Sequence, residues 1–189
     1  MSRAYRISVK ETLRRVIRAN DRVSTQLEIL EVLPEEQMAE LLARELEGRG
    51  YERKDGNLVK EQDGMVITVD PRTGTVTVSA ESAREVEIEG SREGRAWDDA
   101  GPSARQVREQ VRQELVRDLE KQAERRTADL QNEVTDRLEK QLGDIRRDLD
   151  QAVNRVTAEA LKQKAAQLGQ IKEMTEDPQT GSLTIVVEV

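Results

Sequence analysis

The chain has 189 residues, is 37% charged, 35% hydrophobic and 2% aromatic, lacks Phe, Cys and His, and carries a net charge of −7. Without Cys or His it cannot form a disulfide, a zinc–thiolate site, a cysteine nucleophile or a histidine relay. Residues 103–173 carry 15 basic against 14 acidic side chains and the first hundred 16 against 21, so neither part has the cationic excess that phosphate backbones recruit.

Residues 4–33 read as two strands. Tyr5, Ile7, Val9, Leu13 and Ile17 fall on alternate positions, interrupted by Glu11 and Arg15 on the same face. Asn20-Asp21 offers a turn, and Val23, Leu27, Ile29 and Val32 mark the second strand. KETLRRVIRA also suits a short helix, since Leu13, Val16 and Ile17 fit that period. After Pro34, PEEQMAELLARELEGRG predicts a helix with Met38, Leu41, Leu42 and Leu46 on one face. Glu35 and Glu36 favour its positive end, and Gly48 and Gly50 stop it.

Strand patterns return from Tyr51. Asp55-Gly56 is a two-residue hairpin signal. DGMVITVD and TVTVSAE flank Pro71-Arg72-Thr73-Gly74, where Pro presets φ and Gly takes the left-handed position of a reversal. A weaker strand, EVEIEG, covers 85–90, and 91–102 reads as a linker rich in Gly and charge. In that linker Trp97 is expected to pack against the sheet or helix, or else to anchor a partner. Asp98-Asp99 reads as a solvated pair rather than a cation site.

Ser103 and Gln106 match a capping box, and no proline interrupts the chain from there to about Lys172. Residues 103–173 therefore predict one long helix. Its apolar stripe includes Leu115, Leu119, Leu130, Val134, Leu138, Leu142, Ile145, Leu149, Val153 and Val156, with a mean spacing of about 3.8 residues. Charge pairs such as Glu114–Arg117 and Asp118–Lys121 line its flanks. The stripe is too narrow for a globular core, which makes these ten residues the expected seam of a homo-oligomer. Gly143 alone would permit a fold-back, and a continuous helix is expected instead. Residues 174–189 read as a hairpin turning on DPQTG, with Pro178 and Gly181 in the same roles as Pro71 and Gly74. Its last strand would pair through Leu183, Ile185 and Val187, in this chain or a neighbour.

The fold class expected is α+β: a small β-rich head with one short helix over 1–90, the linker, a long coiled-coil-like helix, and a C-terminal β-hairpin. AYRISVKETL, the LEILEVLPEEQMAELLARELEGRGYER block and the ending NRVTAEALKQKAAQLGQIKEMTEDPQTGSLTIVVEV resemble a bacterial accessory family. Its gene neighbourhoods encode FtsH-like AAA+ ATPases, MoxR-type ATPases and von Willebrand A proteins, the ternary conflict systems. The resemblance implies a non-enzymatic part working beside ATPases and supplies no catalytic residues.

No G-x-x-x-x-G-K-[ST] loop occurs, and no catalytic, cofactor-binding or metal-binding residue is nominated. The function expected is that of a structural or assembly protein that self-associates through the long helix and terminal strand. The alternative is an adaptor binding an AAA+ ATPase or a von Willebrand A protein. No cofactor, nucleic acid or membrane span is expected. MSRAYRISVK lacks a signal-peptide core, and the expected location is the cytoplasm.

Overall fold

The computed structural model describes residues 4–97, 102–176 and 183–188. It is an α+β protein: N-terminal strands with a short helix, one long helix, and a C-terminal hairpin. The elements are β1 (Ala4–Gln26), α1 (Glu35–Gly48), β2 (Glu52–Lys54), β3 (Asn57–Gln62), β4 (Met65–Val69), β5 (Thr75–Trp97), α2 (Ala104–Leu168), β6 (Gln170–Glu176) and β7 (Leu183–Glu188). A five-stranded sheet has the order β1-β5-β4-β3-β2, and β6-β7 form a separate two-stranded sheet.

Strands β2 to β5 make an antiparallel meander whose reversals follow from local chemistry. Asp55 and Gly56 have φ of 51° and 84°, the double left-handed geometry of a two-residue hairpin. Asp63-Gly64 repeats it at 53° and 74° between β3 and β4. In the DPRTG loop Gly74 has φ 71°. Its N–H donates to the Asp70 carbonyl at 2.9 Å, and the Asp70 N–H closes the loop on the Thr75 carbonyl at 2.9 Å. The Asp70 carboxylate accepts the Arg72 N–H at 2.9 Å and the Thr73 hydroxyl at 2.9 Å. Partial burial works against its charge, but these donors hold its pKa below the usual Asp value.

Two sequence expectations give way here. Residues 4–26 are one 23-residue strand that runs through Asn20-Asp21 without turning. The expected linker is also strand as far as Trp97, because EVEIEG continues into β5. Trp97 is 52% exposed, so it is not a packing anchor in the chain. Asp98 and Asp99 lie outside the described residues.

The chain divides into two interleaved compact units, Met1–Asn20 with Glu81–Thr135, and Asp21–Ala80 with Asp136–Val189. In the first unit Ile7, Val9, Leu13, Ile88 and Ala96 of the strands pack on Val107, Val111, Leu115, Leu119 and Ala123 of α2. In the second, Leu42 and Leu46 of α1, Leu58, Met65, Ile67, Val69 and Val76 of the sheet, and Leu138 of α2 are all at most 2% exposed.

The capping box forms: the Gln106 side chain accepts the Ser103 N–H at 2.8 Å and the Ser103 hydroxyl accepts the Gln106 N–H at 3.3 Å. Helix α2 then runs unbroken through Gly143, as the sequence predicts, and stops at Leu168. A Cβ added at Gly143 would meet nothing within 4 Å. Gly143→Ala is therefore expected to raise unfolding stability by about 1 kcal/mol, measured as an increased denaturant midpoint with unchanged slope.

Candidate interaction surfaces

The predicted seam is already in use. Leu115, Leu119, Leu130, Val134, Leu138, Ile145, Leu149, Val153 and Val156 are each at most 9% exposed in the single chain, and Leu142 is partly buried. In the first unit the cover is the chain's own sheet. Leu115 and Leu119 pack on Ile88, Val9 and Leu13. The premise that this stripe lacks a partner within its own chain does not hold. Over residues 107–123 the cover comes from β1 and β5.

Charge follows the same plan. Glu114 and Asp118 of α2 both meet Arg92 of β5, at 3.3 and 2.6 Å. Glu11, which breaks the apolar alternation of β1, is where Arg112 of α2 lands at 2.8 Å. Glu133 pairs with Arg84 of β5 at 3.1 Å. Each exposed pair contributes only about 0–1 kcal/mol, so they fix the seating of the helix more than they stabilise it.

Sequence reading missed the packing role of Gly90, the end of the expected EVEIEG strand, and of Gly94, taken as a linker residue. They stand four apart on β5, on one face of the strand. A Cβ at Gly90 would lie 2.8 Å from Leu115 Cδ1, and one at Gly94 would lie 2.7 Å from Val111 Cγ2. They let α2 approach the sheet closely. The detectable signal was glycine at even spacing within a continuing period-two pattern.

In the second unit Arg49 joins the end of α1 to α2. It donates to the Glu45 carboxylate at 2.8 Å and to Asp148 of α2 through the carboxylate at 2.5 Å and the carbonyl at 3.1 Å. Burial opposes its charge, but these acceptors outweigh it and raise its pKa. Burial also pushes the neighbouring Tyr51 hydroxyl up to about 12, helped by the Asp148 charge. The same unit holds a cleft of about 680 Å³, with Val76, Val78, Leu142, Ile145 and Val153 lining it and Glu28, Arg146 and Asp150 also contributing. No group of three or more acidic residues suited to a metal ion occurs among the described residues.

The terminal hairpin is built differently. Strands β6 and β7 are antiparallel, with Ile171 opposite Val187, Met174 opposite Ile185 and Glu176 opposite Leu183. Leu183, Ile185 and Val187 thus pair within the chain. They share one face and are only partly buried, alternating with exposed Thr184, Val186 and Glu188. Gly169 joins α2 to this hairpin; a Cβ there would lie 2.2 Å from the Glu188 carbonyl oxygen. The reversal of DPQTG, with Pro178 and Gly181, lies outside the described residues. Pro71 and Gly74 sit in the β4–β5 loop as expected.

No helix is long and apolar enough to cross a membrane among the described residues. Neither the curated proteins nor the solved structures include a match to this chain. The family model for FtsH ternary system domain X5 matches residues 1–189, the whole chain, and the protein belongs to that family.

Proposed function

We propose that this chain is a non-enzymatic assembly component of an FtsH ternary system that self-associates through its C-terminal strand. Family membership supports an accessory role in that system. The observation that carries self-association is β7. It is a strand of LTIVVE with one hydrogen-bonded neighbour among the described strands and a partly exposed apolar face. A two-stranded hairpin is marginal in water by itself, and further strands are the usual remedy. The helix seam is not part of this reading, because its side chains are buried within the chain.

The test is mass in solution by light scattering. The intact protein is expected at twice its 21.4 kDa chain mass, and a chain lacking residues 183–189 at the single mass. A monomeric intact chain overturns self-association. A truncated chain that keeps the doubled mass overturns the role of the strand.

A second reading rests on family membership together with the cleft beside Val76 and Ile145. A monomer that captures an AAA+ ATPase or a von Willebrand A protein of its own system would act as an adaptor. Pull-down with those purified proteins tests it.

A further inference from the structure

Four strands among those described stand at sheet edges: β1, β2, β6 and β7. An open edge invites foreign strands, and proteins guard against this with charge, brevity or bulges. Strand β1 carries Arg6, Lys10, Arg14, Arg15, Arg18 and Arg22. Strand β2 has three residues. Strand β6 carries Lys172 and Glu173 and shifts register between Ile171 and Glu173. Strand β7 has none of these protections: its one charge, Glu188, is its last residue. The most apolar edge is the unguarded one.

We infer that β7 pairs antiparallel with β7 of a second copy, about a two-fold axis at Ile185, giving the strand order β6-β7-β7-β6. The inference deepens the proposed self-association and rests on it. The register follows from the side-chain pattern. Residues directly opposite in a sheet point to the same face. Placing Ile185 against Ile185 sets Leu183 against Val187 and Thr184 against Val186, so the two apolar faces become continuous. Sliding by one residue would set Ile185 against Val186 and turn one apolar face the wrong way.

Charge chooses the direction. Antiparallel pairing carries the two Glu188 side chains to opposite ends of the paired strands, whereas in-register parallel pairing stacks them side by side, which is repulsive. The occupant is also settled by chemistry. The strand offers no internal charge to select a different partner, yet its own sequence is complementary to itself about Ile185. Pairing at β7 leaves only the charged, bulged β6 edges outermost, so the assembly closes at two chains.

The absence of cysteine makes the test direct. Directly opposed residues in an antiparallel pair lie about 4.5–5.5 Å apart at Cα, within the disulfide range of about 4.4–6.8 Å. Under mild oxidation the full-length Ile185→Cys protein is expected to form a reducible covalent dimer in most of the sample. Leu183→Cys alone should not, since its two copies would lie about 13 Å apart along the strands. Mixed with Val187→Cys it should cross-link. A doubled mass without the Ile185→Cys cross-link overturns this pairing and leaves self-association standing. Efficient cross-linking of Leu183→Cys alone overturns the register. A monomeric wild-type chain overturns both the pairing and the proposed self-association.

Discussion

Replacing Leu138 by aspartate is expected to unfold the part of the protein that contains it, rather than release a folded subunit from an oligomer. Leu138 is 1% exposed in the single chain. Leucine-to-alanine changes at such sites cost about 2–5 kcal/mol. A carboxylate there adds a desolvation penalty of several kcal/mol. Together these rival the ~5–15 kcal/mol that holds an ordinary domain folded. Circular dichroism should show loss of helix and of the cooperative melt, with Leu138→Ala giving an intermediate, still-folded protein. A Leu138→Asp protein that keeps its helix and melting temperature while halving its mass would place the stripe between chains instead of inside one.

Gly169→Ala is expected to have a large but local effect. The new methyl carbon would start 2.2 Å from the Glu188 carbonyl oxygen. Backbone stands on both sides of that contact, so no side-chain rotation relieves it. The Gln170–Glu188 end of the hairpin must open, and a two-stranded sheet has little stability in reserve. Hydrogen exchange should accelerate in 170–176 and 183–188 and stay unchanged in α1 and β2–β4. Under the proposed assembly the protein should also become monomeric. Preserved protection in both terminal strands would mean that the junction tolerates the methyl.

The contrast between these two sites shows what could be read from the amino-acid order. Features set by a few neighbouring residues were legible: the Asp55-Gly56 reversal, the DPRTG loop, the Ser103–Gln106 cap and the unbroken run of α2. Features set by residues far apart were not. The part of the α2 stripe over residues 107–123 looked unpartnered because its cover, β1 and β5, was read as short pieces. Strand β1 was split at Asn20-Asp21 because turn chemistry is a local preference, and pairing along β5 overrides it. The candidate strand Leu183–Val187 was legible because period-two patterning is itself local. Its β6 partner was legible only in part: residues 170–173 read as the end of the long helix, because Ile171 and Met174 do not alternate.

The two compact units alternate along the chain, one supplying Met1–Asn20 and Glu81–Thr135 and the other Asp21–Ala80 and Asp136–Val189. No single cut can separate them, and neither is complete on the ribosome until translation has passed residue 135. Gene fusion or loss at one breakpoint cannot add or shed either one intact.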